Sequence, residues 1–165
     1  MAITLLEVLQ GAEKTISLGR GSNAEKVSVK IPAGISSGKK LRVSGKGSPS
    51  QVGGPPGDLY LLIKVTPHPD YIRDEDDLLM DKKISFSAAA LGTNIDVPTL
   101  EGKKLQVKVP PGTQANAKLR LKGHGLPHGP RGPRGDLFVR VVVEVPKKLN
   151  KDQQKLMEEL KESGL

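Results

Sequence analysis

The chain has 165 residues, 36% of them hydrophobic and 19 of them glycine, which is enough material for one ordinary domain or two small ones and excludes a disordered chain. With no cysteine, disulfide staples and cysteine-ligated zinc are excluded and a reducing, cytoplasmic setting is the expectation. The net charge of +8 suits nucleic acid, acidic membrane surfaces or acidic protein tails, while no apolar run approaches the roughly 18–20 residues of a membrane span and the first residues lack the pattern of an export signal.

The chain opens on TLLEVLQG, residues 4 to 11. Thr4 with Glu7 is the spacing of a capping box, and Gly11 is placed to end the helix in the left-handed region. Thr15 to Leu18, Val27 to Ile31 and Leu41 to Val43 then alternate apolar with polar, the period of a half-buried strand. Leu59 to Val65 is more continuously apolar and is expected to be covered on both faces.

From here the chain repeats itself. Residues 27 to 65 align without a gap on 105 to 143, an offset of 78 at which sixteen positions are identical, among them Arg42 with Arg120 and Gly57-Asp58-Leu59 with Gly135-Asp136-Leu137. The helical opening recurs as SFSAAALG, residues 85 to 92, at an offset of 81. So long a period is a duplicated domain rather than a solenoid. The fold predicted is all-β, with two tandem homologous β-sandwich or barrel-like domains, residues 1–69 and 70–146, each with one short helix. A C-terminal amphipathic helix follows in residues 147–165. It runs from about Lys151 to Glu162, with Asn150 as cap, Gln153 three residues on, and Leu156, Met157 and Leu160 on one face. A helix this short needs a packing partner.

Catalytic and metal chemistry find little support. The acidic run from Asp74 to Asp81 lacks the glycine and distal glutamate of a calcium loop, and a hydrolase at this junction is the weakest of the readings. His124 and His128 are four apart, but Gly125, Pro127 and Gly129 place them on a loop. Gly45-Lys46-Gly47 and Gly123-His124-Gly125 run into proline-containing loops instead of a helix N-terminus, so they read as turn glycines needing positive φ rather than phosphate cradles. No nucleophile pattern stands near His68, and no enzyme activity, metal or cofactor is expected. The four aromatics, Tyr60, Tyr71, Phe86 and Phe138, are few for stacking on single strands.

The stretches KIPAGISSGKKLRVSGKG, GDLYLLIKVTPHPDYIRDEDDL, AAALGTNIDVPTLEG, KVPPGTQANAKLRLKGHG and GDLFVRV, in that order, resemble the C-terminal, polypeptide-binding region of DnaJ-type co-chaperones. The resemblance covers nearly the whole chain. His68-Pro69-Asp70 also spells the tripeptide of that family's J domain, but it follows a strand and matches the family's own junction pattern with Tyr71, Arg73, Asp77 and Leu78. Glu75 departs from that pattern, which has glycine there. GRGSNAEK stands where zinc-binding members insert their cysteine repeats, so the chain resembles the zinc-free class. The start at Met1-Ala2-Ile3, where a strand is already under way, is expected to mark a fragment lacking the J domain.

The resemblance implies a shallow apolar groove on the first domain, mapped to Ile3, Ile16 and Leu18, with Tyr71 at the far wall and Lys14 available to an acidic tail. Alternation alone puts Ile16 and Leu18 on one face without saying whether that face is sealed. The partners so implied are unfolded polypeptides and the acidic tail of a DnaK-type chaperone, held by strand addition plus apolar pockets. The tail helix implies a homodimer through Leu156, Met157 and Leu160. DNA is the second-choice partner, permitted by the charge, and no membrane role is expected.

Overall fold

The computed structural model describes residues 1–19, 25–48 and 53–165. Most of the segment expected to replace the zinc repeats, and the first copy's loop proline Pro49, lie outside the described residues. The first half runs β1 (Ala2–Ile3), α1 (Leu5–Gln10), β2 (Ala12–Leu18), β3 (Glu25–Ile31), β4 (Lys40–Val43), β5 (Leu59–Leu62) and β6 (Lys64–Val65). The second runs β7 (Ile72–Asp74), β8 (Asp77–Ser85), α2 (Phe86–Leu91), β9 (Thr93–Pro98), β10 (Lys104–Val109), β11 (Lys118–Leu121) and β12 (Leu137–Glu144), and α3 (Lys151–Glu162) closes the chain. Strands dominate and the helices are short, so the fold is all-β.

The duplication is visible bond by bond. Strands β2 and β3 form an antiparallel hairpin in the register that β9 and β10 repeat, with Ala12 opposite Ile31 and Thr93 opposite Val109. β1 pairs in parallel with β6, Ile3 opposite Val65, just as Ile84 of β8 lies opposite Val143 of β12. The Gly34 amide donates to the Val8 carbonyl at 2.8 Å and the Gly112 amide to Ala89 at 2.9 Å. One ion pair is matched between the halves. Asp58 accepts from the Gly45 amide at 2.9 Å and from Arg42, and Asp136 accepts from the Gly123 amide at 2.8 Å and from Arg120. Both carboxyls are held below the usual carboxylate range, first by the backbone amide and then by the arginine.

Local chemistry accounts for the helix ends. Thr4 and Glu7 form the reciprocal capping box, as do Asn150 and Gln153 of α3, each satisfying two amides that the first turn leaves without partners. Gly11 has positive φ (76°) but an extended ψ (165°), so it leaves the helix through a region open to glycine rather than through a left-handed cap. Its place in α2 is taken by Gly92 with the same conformation.

The structure corrects two further expectations. Leu59 to Val65 is not covered on both faces. It is split into β5 and β6, and Tyr60 and Leu62 are 58% and 55% exposed because β5 is packed on one face only. Of the paired turn glycines, Gly45 and Gly123 have positive φ, but Gly47 and Gly125 do not. These two are required by close approach instead, since a Cβ would fall 2.5 Å from the Asp58 carbonyl oxygen at Gly47 and 2.5 Å from that of Asp76 at Gly125. In the acidic run, Asp74 and Asp77 close the β7–β8 hairpin, and Leu78 and Met80 continue it as a buried strand.

Sheet β11-β12-β8-β7 forms the body of the second half. Buried side chains from both halves, from Ile3, Val8, Ile31 and Ile63 through Tyr71 and Leu126 to Val139 and Val141, join one apolar cluster. Gly34 sits against this junction so closely that a Cβ would lie 2.3 Å from the Gly129 nitrogen.

Candidate functional site

Antiparallel pairing puts directly opposed residues on one face. Ala12, Lys14, Ile16 and Leu18 of β2 therefore share a face with Ile31, Val29, Val27 and Glu25 of β3. Near α1 this face is buried, through Val29 and Ile31. Toward the far end Ile16, Leu18 and Val27 are only partly covered and stand outside the apolar cluster.

The second half shows how the same hairpin looks when sealed. The counterparts of Lys14 and Ile16 are Ile95 and Val97, both buried in the core and opposed by Val107 and Leu105. A lysine in place of an isoleucine thus lifts the first hairpin's end from the interior, because an ammonium cannot enter an apolar core without a partner. Among the described residues β2 pairs only with β3, leaving its other edge open to an added strand.

Lys14 is not free. Its ammonium donates to the Ala2 carbonyl oxygen at 3.0 Å and lies 3.0 Å from a Glu7 carboxylate oxygen. The Glu7 carboxyl is held below its usual range by the Thr4 amide first and by Lys14 second. An arriving acidic group has to share this lysine with Glu7, a residue that sequence reasoning assigned only to the helix cap. Val27 was also missed as part of the site, although its place opposite Ile16 follows from any hairpin that pairs the two alternating runs.

Ile3 and Tyr71 are buried in the core. Tyr71 donates its hydroxyl to the Pro98 carbonyl at 2.6 Å, tying the junction to the second half, and its ring lies 5.0 Å from that of His68. Burial raises the Tyr71 phenol above its usual pKa, with Asp70 adding to the effect. Beside it, Arg73 donates to the carbonyls of Glu75 at 2.6 Å and Ile35 at 2.9 Å, and its burial lowers its pKa. A cavity of about 470 Å³ opens here, lined by Leu5, Val65, Pro67, Tyr71 and Ile72 among others, but not by Ile16 or Leu18. The structure thus brings Lys14, Ile16 and Leu18 together on one face and places Ile3 and Tyr71 in the interior.

At the other end of the chain α3 carries no buried residue, with Leu156 64% exposed and Met157 and Leu160 partly covered. These three line a cavity of about 990 Å³ together with Phe86, Val145 and Leu149. Among the described residues there is no cluster of acidic or histidine side chains fit for a metal, and no helix long and apolar enough to cross a membrane.

Comparison with known proteins gives the same frame. A family model described as the DnaJ C terminal domain matches residues 1–146. The chain is 48% identical over 139 residues to the chaperone protein DnaJ of Leptospira biflexa, covering 84% of this chain and 37% of that protein. It is 46% identical over 149 residues to chaperone protein DnaJ 2 of Aquifex aeolicus, covering 87% of this chain and 40% of the relative. The chaperone protein DnaJ of Geobacillus sp. is 47% identical over 146 residues, with 88% of this chain and 38% of the relative covered. The chain thus spans under half the length of these relatives. With the repeated strand plan, the matched ion pairs and these likenesses together, the chain belongs to the DnaJ C-terminal domain family.

Proposed function

We propose that this chain is a non-enzymatic polypeptide-binding module of a co-chaperone. In this reading residues 1–69 take extended, unfolded segments on the open end of the β2–β3 hairpin, residues 70–146 act as a spacer, and residues 147–165 join two copies. The observation that carries it is the contrast between the twin hairpins, with Ile95 and Val97 sealed in the core and Ile16, Leu18 and Val27 left half-covered beside an unpaired strand edge. An extended chain placed on that edge gains backbone hydrogen bonds whatever its sequence, while alternate side chains cover the three apolar groups.

Half-covered side chains gain about 1 kcal/mol each on complete burial. Less the cost of ordering a flexible chain, that supports micromolar or weaker binding, which suits hand-over to a DnaK-type partner. The acidic tail of such a partner is the segment expected to meet Lys14.

Titration of an extended apolar peptide with an acidic end tests the reading. Ile16→Ser should weaken binding about tenfold with the fold intact. Glu7→Gln keeps the capping box but removes Lys14's competitor, and should strengthen binding several-fold at low salt. Equal affinity in the parent and Ile16→Ser would remove the assignment. Leu156→Asp with Leu160→Asp should halve the mass in sedimentation; an unchanged dimer mass would remove the tail helix from the interface.

A further inference from the structure

The outer face of the second half's sheet carries charge that changes sign from one edge to the other. Directly opposed residues share a face, so the register sorts the side chains into rows. Leu137, Val139, Leu78 and Met80 turn inward and are buried, which leaves Arg120 of β11, Phe138 of β12, Leu79 of β8 and Ile72 of β7 side by side on the other face. The next row on one side runs Lys118, Arg140, Asp81. On the other side Asp77 lies opposite Asp74, and Lys122 directly follows β11.

Three cations, Lys118, Arg120 and Lys122, thus stand at the β11 edge, and Asp74, Asp77 and Asp81 at the β7–β8 edge. Between them lies an apolar row in which Ile72 is 61% exposed and Leu79 and Phe138 are partly covered. Arg140 and Arg120 are taken by Asp81 and Asp136, but among the described residues Lys118, Lys122 and Asp74 have no ion-pair partner. Both inner strands, β8 and β12, are paired on either side, so this face owes nothing to an unfilled edge.

We propose that this face is where a second copy of the chain docks, sheet on sheet. A surface that runs from a positive edge to a negative one fits itself, whereas a uniformly acidic or basic partner is repelled by one edge. About a two-fold axis parallel to the strands and midway between β12 and β8, β11 of one copy falls over β7 of the other and β12 over β8. Phe138 then meets Leu79 of the second copy, the stem of Arg120 covers Ile72, Lys122 lies over Asp74, and the two Arg140–Asp81 pairs meet as a network of four charges. One like-signed meeting, Asp136 over Asp77, involves groups that are already partnered: Asp136 accepts from the Gly123 amide and Arg120, and Asp77 accepts from the Asp136 amide. Sheets stacked face to face lie about 10 Å apart with their strands aligned within about 30°, a gap that side chains of this length fill. With so few apolar groups on each side the contact is small, and association is weak and grows with protein concentration. It depends neither on the tail helix nor on the β2–β3 face.

Sedimentation equilibrium over a concentration series tests this in the form carrying Leu156→Asp and Leu160→Asp, so that α3 contributes no contact. Its mass should rise from monomer toward dimer as concentration increases. Lys122→Glu and Asp74→Lys, added singly, each set like charges face to face on both sides of the axis and should weaken association about fivefold. The chain carrying both changes should regain the starting affinity, because the exchanged charges again oppose each other. Leu79→Ser, at the centre of the apolar row, should weaken association about tenfold. Monomer mass throughout, up to about 1 mM, would leave the face to a partner of other sequence and overturn the proposal, as would a doubly exchanged chain that stays as weak as the single ones.

Discussion

Tyr71 ties the segment that opens the second half to the end of β9 through its hydroxyl, which donates to the Pro98 carbonyl at 2.6 Å. Tyr71→Phe keeps the packing and loses the bond, so it should cost about 1 kcal/mol in urea unfolding. Its raised phenol pKa adds a pH dependence. The neutral phenol's contribution is complete below the unfolded value of about 10 and is lost as pH rises through the higher folded value. Stability should therefore fall at alkaline pH in the parent and more gently in Tyr71→Phe, and the ultraviolet titration of Tyr60→Phe, which leaves Tyr71 alone, should have its midpoint above 10.

Glu75 occupies the first position of the two-residue β7–β8 loop with φ of 52°. Hairpin loops of this length favour glycine or asparagine, and a left-handed residue with a side chain carries a strain of about 1–2 kcal/mol. Glu75→Gly relieves it at the cost of a more flexible unfolded chain. The net expectation is a gain of about 0.5–1 kcal/mol, read as a rise in Tm of about 1–3 °C.

Gly34 and Gly38 both have positive φ, 74° and 85°, yet their surroundings differ. A Cβ on Gly34 would meet Pro127 and Gly129 backbone atoms at 2.3 Å, and one on Gly38 meets nothing within 4 Å. Gly38→Ala should cost about 1 kcal/mol from backbone strain alone. Gly34→Ala adds a clash at the junction of the halves and should cost about 3 kcal/mol or more in chemical unfolding.

Asp58 and Asp136 have folded pKa values depressed by the Gly45 and Gly123 amides and by their arginines. Their contribution is complete above the unfolded value of about 4 and is lost as pH falls through the lower folded value. The parent should unfold in acid over that window. Asp136→Asn should flatten the acid limb more than Asp58→Asn does, because the Asp136 side chain is the more covered of the two.

The duplication was legible in the sequence because repeated Gly-Asp-Leu and Pro-x-Gly signatures survive at a fixed offset, and with it came the strand plan, both short helices and the bounds of α3. What alternation does not reveal is which face of a strand is covered. Ile16 and Val97 occupy equivalent places in strands of the same period, and one is half-open while the other is fully buried. The difference lies in the neighbour at Lys14 or Ile95. The family resemblance maps Ile3 and Tyr71 to the groove, whereas both are buried in the core through packing that no local pattern encodes. The engagement of Lys14 by Glu7 brings a helix cap and a strand together in space.

One consequence follows from the unbroken run of buried side chains that links Ile3 and Ile63 to Leu126 and Val141. The twin repeats have no dry seam along which to part, so heat should dismantle both in a single calorimetric peak. Whatever grips one repeat then lends its anchorage to the other, and a pull applied at the first hairpin is borne by both repeats.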